Sequence, residues 1–239
     1  MSSPITLAVI PARAGSKGLP NKNLQKLQGI SLIGRAVILA KSIETIQHVI
    51  VTTDSLLIAE EAEKYGAEIP FIRSPGLAQD LTTTEATLKD ALSRWEGTKQ
   101  QEVGLCVYFS PSEGFLNRDC VERGIKFLTE NSAYESYFSA APTTKNYWES
   151  KDAKFSRILP WMSVYGSRQN RQSIFREDTG RGCVSRSQLW REERRIGTHV
   201  WIEKDEDVRA NLDIHTALDL KIASMVLEEL GDYPLYLNE

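Results

Sequence analysis

Three cations, Arg13, Lys17 and Lys22, stand among Gly15, Ser16 and Gly18 in the segment Ile10–Asn23, IPARAGSKGLPNKN. Glycines let backbone N–H groups approach phosphate oxygens closely, and the cations neutralise phosphate charge. The chemistry this pattern suits is a polyphosphate cradle. The order G-S-K-G departs from the Walker loop, and the dinucleotide fingerprint G-x-G-x-x-G is absent. A solvated polar turn would also satisfy the residues taken alone.

The elements around this loop decide what it can do. Ile5–Pro11, directly before it, is an apolar run that predicts a buried strand, and Val49–Thr53 and Val103–Phe109 are similar. Leu32, Ile33, Ala36, Val37, Ala40, Ile43 and Ile46 recur at helical spacing. Ser55–Tyr65 predicts a second helix, capped by Asp54 or Ser55 and stopped by Gly66. Further helices are expected over Thr84–Trp95, Asp119–Thr129 and Thr216–Leu230, with a late strand over Thr198–Ile202. Strands alternating with helices give an α/β sandwich on a mainly parallel sheet. From Ala133 to Arg195 the periodicity weakens amid Tyr, Trp and Arg, which predicts an irregular excursion or small subdomain within a single domain of residues 1–239.

Composition bounds the function. The chain has 239 residues, 41% of them hydrophobic and 26% charged, so it can bury a core. Its formal charge of -3 argues against nucleic acid as a partner. Neither an apolar run of membrane-spanning length nor a charged-plus-apolar leader is present, so the expectation is a cytoplasmic protein without a membrane partner. Cys106, Cys120 and Cys183 form no C-x-x-C pair, and His48, His199 and His215 lie far apart, which argues against a structural zinc site.

The loop P-A-R-x-G-S-K-G-x-P-x-K-N resembles the opening motif of the acylneuraminate cytidylyltransferases, the CMP-sialic acid synthetase family. The resemblance continues through Val51-Thr52-Thr53-Asp54, through Ile58-Ala59-Glu60 and Tyr65-Gly66-Ala67, and through Arg73, Leu77, Ala78 and Asp80, which are similar to R-P-x-x-L-A-x-D. It extends to Pro111-Ser112, Tyr147-Trp148, Arg168-Gln169 and Asn211–Asp219. It implies a three-layer, nucleotide-diphospho-sugar transferase-like fold with a mixed, mainly parallel sheet. It also implies a homodimer contacting through an insertion at about 133–195, and a reaction in which CTP and an acidic sugar give a CMP-sugar and pyrophosphate for surface-glycan synthesis.

By position, the resemblance implies that Arg13 and Lys22 contact the phosphates and carry catalysis, with Ser16 and Lys17 closing the loop. Ala12 and Gly15 complete the nucleotide site, and Asn23 and Arg73 face cytosine and ribose. Ser110, Ser112, Arg168 and Gln169 fall on the sugar-acid side. Asp213 and His215 stand where the family's closing D-I-D-T motif binds a divalent cation, magnesium or manganese.

Two departures matter. The family's Q-P-T-S-P-L-R loop becomes Ser110-Pro111-Ser112-Glu113-Gly114-Phe115-Leu116, losing a cation and gaining an acid. A substrate carboxylate would then need donors elsewhere, and Arg168, Arg171 and Arg176 are candidates. In the closing motif Asp213-Ile214-His215-Thr216, an imidazole replaces one carboxylate, which disfavours magnesium and suits softer ions such as manganese. Thr216–Asp219 also has the spacing of a capping box, so Asp213 and His215 could simply precede a helix. Alternatives left open are the same fold acting on another base or a sugar-phosphate acceptor, and a non-catalytic nucleotide-binding relative.

Overall fold

A computed structural model describes residues 5–163, 166–167 and 171–231. The run ITLAVIP forms β1 (Ile5–Pro11), buried from Thr6 to Ile10 because it has helices on both faces. Its neighbours, both parallel to it, are β4 (His48–Thr52) and β5 (Val103–Tyr108). Between β1 and β4 lie the short β2 (Lys26–Leu27) and β3 (Ile30–Ser31) and helix α1 (Leu32–Lys41). Helices α2 (Leu56–Lys64) and α3 (Thr84–Lys99) separate β4 from β5. Ser55 rather than Asp54 caps α2, accepting from the Ile58 amide.

The chain continues through α4 (Arg118–Glu130), β6 (Ser136–Thr143), β7 (Trp148–Lys151), β8 (Lys154–Arg157), β9 (Ile174–Glu177) and β10 (Cys183–Arg186). It closes through α5 (Ser187–Arg191), β11 (Val200–Lys204) and α6 (Ala217–Leu230). The main sheet has seven strands, ordered β11-β6-β10-β5-β1-β4 with β9 also on β6. β9 and β10 run antiparallel to their partners, and the other pairs are parallel. One face carries α1, α2 and α4, the other α3 and α5, which gives three layers.

The stretch expected to be irregular contains three strands of this sheet. Periodicity missed β6 because every residue from Ser136 to Ala141 is buried, so polar and apolar positions do not alternate, and Pro142 interrupts the run. Among the described residues of that stretch, the exposed hairpin β7–β8 lies outside the sheet.

A third, smaller cluster is separate from those on the two faces of the sheet. It unites Leu19 from the loop after β1, Leu27, Leu32, Phe115 from the loop after β5, Ile214 from the closing segment, and Ala223 and Leu227 of α6. Ile214 is fully buried there, which turns its neighbours Asp213 and His215 the other way along an extended segment. Truncating Ile214 leaves a cavity lined by these groups, so Ile214→Ala should lower unfolding stability by about 2–4 kcal/mol in urea titrations. A loss under about 1 kcal/mol would mean that the cluster re-collapses and does not anchor the segment.

Candidate active site

The loop after β1 is pinned through its backbone. The Ala12 amide donates to the Thr52 carbonyl (3.0 Å), the Ala14 amide to Asp54 Oδ1 (2.9 Å), and Asn23 Nδ2 to the Arg13 carbonyl (2.9 Å). Gly18 lies so close to the closing segment that a Cβ there would stand 2.4 Å from the His215 carbonyl oxygen, so only glycine fits. Leu19 is drawn into the third cluster. Arg13 Nη1 then meets Asp80 Oδ1 at 2.8 Å, and Lys17 Nζ meets Asp80 Oδ2 at 2.5 Å.

The loop after β5 approaches from the other side. The Ser110 amide donates to the Gly180 carbonyl (2.8 Å), and Arg181, fully buried, donates Nε to the Phe115 carbonyl (2.5 Å). Arg181 is balanced by Asp205 at 2.6 Å and Asp178 at 3.2 Å, a buried cation with two acids. This fixes Ser112, whose Oγ accepts from Lys22 Nζ at 2.5 Å. Burial pulls the Lys22 ammonium below its ordinary pKa, against the opposing pull of Asp213 and Glu113, and Arg13 lowers it further.

The closing segment completes the site. The Ile214 amide donates to the Ser112 carbonyl (2.8 Å), placing Asp213 opposite Glu113 in a β-bridge. His215 Nε2 meets Asp213 Oδ2 at 2.7 Å, while Asp213 Oδ1 is buried without a hydrogen-bond partner. Thr216 caps α6 in a full capping box with Asp219, so the segment both bears the candidate ligands and starts a helix. Glu113 packs on Gly180 and has its pKa raised to about 8, by burial first and then by Asp213 and Asp178, with Arg181 and Arg176 opposing.

Two cavities result. The larger, about 440 Å³, is lined by Arg13, Gly15, Ser16, Lys17, Lys22, Asn23, Arg73, Asp80, Ser110, Ser112 and His215, with Gln79 and Thr82–Thr84 on its far wall. The smaller, about 250 Å³, carries Glu113, Glu177, Asp178, Asp213 and Arg195. Tyr108, Ser110, Ser112 and His215 line both, so the two meet along the loop after β5.

The sequence-derived candidates thus largely converge. Among the described candidates, Ala12, buried beneath the loop, lines neither cavity, and neither do Arg171 and Arg176. Arg73 is buried and donates to the Thr52 carbonyl and Thr52 Oγ1, so part of its guanidinium holds the end of β4. Asn23 likewise braces the loop from below. Of the arginines offered for a carboxylate, Arg176 donates to the Ala210 carbonyl (2.5 Å) and Arg171 to that of Gly166 (2.9 Å). Arg168 and Gln169 lie outside the described residues. Sequence reasoning gave no role in the site to Tyr108, Arg181 and Arg195, and named Asp54 only as a possible helix cap and within the Val51-Thr52-Thr53-Asp54 match. Only Asp54, an acid at the end of an apolar run, carries a local signal.

Residues 7–108 match the cytidylyltransferase family. The chain is 42% identical over 90 residues to a CMP-N,N'-diacetyllegionaminic acid synthase of Campylobacter jejuni, an alignment spanning 38% of each chain. It is 26% identical over 227 residues to post-translational flagellin modification protein B of Campylobacter coli, covering 93% of this chain and 95% of that one. Among solved structures it resembles a CMP:2-keto-3-deoxy-manno-octonic acid synthetase complexed with CTP, with TM-score 0.69 at 14% identity, covering 94% and 99% of the two chains. That likeness is one of fold.

Glu113 makes stability depend on pH. A carboxyl raised from 4.5 to about 8 binds a proton in the folded chain that the unfolded chain has lost over that interval. Its favourable state is therefore complete below the unfolded value and is lost as pH rises through about 8. Glu113→Gln, permanently neutral, should become more stable relative to the parent by at least ~1 kcal/mol between pH 5 and pH 8 in chelator-treated urea titrations. Parallel pH profiles would contradict the burial of this carboxyl.

Proposed function

We propose that this chain, whose residues 7–108 match the cytidylyltransferase family, joins CTP to a nonulosonic or related 3-deoxy-2-ulosonic acid, giving a CMP-sugar and pyrophosphate. The supporting observation is the position of Lys22. It lines the larger cavity and donates to Ser112, which lines both. An α-phosphorus has to lie where nucleotide and acceptor sites meet, and Lys22 is the cation at that junction.

In this reading Arg13 and Lys17 hold the β- and γ-phosphates over the glycine loop, and Lys22 neutralises charge developing around the α-phosphorus. The acceptor's anomeric hydroxyl attacks from the smaller cavity and gives its proton to a carboxylate there, while the bond to pyrophosphate breaks on the opposite side and pyrophosphate leaves with the electron pair. Carboxylates of the smaller cavity accept hydroxyl and amide N–H donors of the sugar. Arg195 there is committed to Glu177, Glu85 and Thr179. The sugar carboxylate therefore draws on Lys22 and, as we propose, on Arg168 and Gln169. Asn23 and Arg73 brace the cavity beside the base, whose selection falls also on Gln79 and Thr82–Thr84.

A divalent cation fits the donors present. The buried, unpartnered Asp213 Oδ1 offers one hard oxygen, and His215 stands against the same carboxylate. Among the described residues no three His, Cys, Asp or Glu side chains form a metal-binding group. The ion we propose is one held by one or two protein ligands and substrate phosphates. Bound there by Asp213 and His215, it would neutralise triphosphate charge. We also propose a homodimer that packs through the hairpin β7–β8, where Trp148 and Phe155 are exposed.

Pyrophosphate release across the four nucleoside triphosphates and a panel of ulosonic acids tests the reaction. CTP should be preferred, and equal use of UTP or GTP would shift the reading to a relative with another base. Lys22→Ala should reduce kcat/KM at least tenfold, which is ~1.4 kcal/mol of transition-state stabilisation. Unchanged kinetics would remove Lys22 from the junction.

His215→Asp should lower the magnesium concentration giving half-maximal activity and weaken any manganese preference, because it restores a second carboxylate. Identical half-saturation in parent and variant would assign His215 to the helix start alone.

A further inference from the structure

Asp80 is the one acid that meets cations of the glycine loop across the larger cavity in the described structure, and it engages two of them. Its Oδ1 takes Arg13 and its Oδ2 takes Lys17, at 2.8 and 2.5 Å. The residue belongs to the opposite wall, between the short turn Pro75–Leu77 and the α3 cap Thr83, and all three side chains line the cavity. Two anionic oxygens, each on its own cation beside closely spaced glycines, reproduce what a polyphosphate would present.

We propose that Asp80 is an internal stand-in for polyphosphate, pairing with Arg13 and Lys17 while the site is empty and displaced from them when the substrate's phosphates bind. This rests on the phosphate-cradle reading above and adds a residue that sets the strength of phosphate binding. The arrangement suits displacement. The Asp80 side chain is about half exposed at 48%, and Lys17 is 82% exposed, so water can take over the released carboxylate. Lys22 is engaged with Ser112 and not with Asp80, so one cation of the cradle is outside the clasp and can receive the first phosphate. The same competition favours release of pyrophosphate, because the carboxylate returns to the cations as the product leaves.

Calorimetric titration of the full chain with inorganic tripolyphosphate tests the proposal without involving base or sugar. Asp80→Asn keeps the shape of the side chain and removes its charge, at an exposed position where folding survives; circular dichroism checks this. Two exposed ion pairs together correspond to roughly a three- to tenfold effect, so the variant should bind tripolyphosphate about that much more tightly than the parent. The advantage should shrink at high salt, where exposed pairs are screened. Asp80→Ser should behave alike. Equal or weaker tripolyphosphate binding in both variants would overturn the clasp while leaving the cradle intact. Weaker CTP binding with unchanged tripolyphosphate binding would instead make Asp80 a nucleoside contact, which also overturns it. If tripolyphosphate binds neither parent nor variants, the cradle reading and the clasp fall together.

Discussion

The site depends on one small apolar cluster in which Leu19, Phe115 and Ile214 meet against α6. Each comes from a different segment, and each sits beside the polar groups that matter: Gly18 and Lys22, Ser112 and Glu113, Asp213 and His215. Burying the three together leaves their neighbours little choice but to converge. The contact between Gly18 and the His215 carbonyl, and the bond from the Ile214 amide to the Ser112 carbonyl, follow from that packing. The sheet sets the distances on a larger scale, since β1, β4 and β5 run parallel and end at the same edge.

Charge is distributed unevenly over this frame. The cations of the glycine loop face the larger cavity, and four acids face the smaller one. Between them Glu113 tends to keep its proton, because burial and two acidic neighbours outweigh Arg181 and Arg176. Behind the wall, Arg181 with Asp178 and Asp205 shows how strongly the loop after β5 is held. Removing either acid would leave a buried cation short of a partner. Such a division suits a reaction that brings a highly anionic nucleotide to a hydroxyl-rich acceptor.

Much of this was legible in the residues. The strand before the glycine loop, the helix spacing of Leu32–Ala40 and the capping box at Thr216 are local signals, and local signals survive folding. β6 was not legible, since a strand buried on both faces loses its alternation. The roles of Asn23 and Arg73 were only half legible. The resemblance sets them beside cytosine and ribose, and both line the larger cavity, while their bonds to the Arg13 carbonyl and Thr52 are contacts that only the folded chain brings near. Arg181 and Arg195 lie in an arginine-rich stretch whose composition does not distinguish a buried clamp from a solvated turn.

If the three distant segments form one nucleotide-binding unit, amide hydrogen exchange with and without saturating CTP reads it most directly. Protection should rise together in residues 13–23, 110–113 and 213–216, with the wall at 73–83 changing as well. Protection confined to the loop after β1, or centred on the separate cavity of Glu96, Gln100 and Arg191, would contradict a unit made of all three segments.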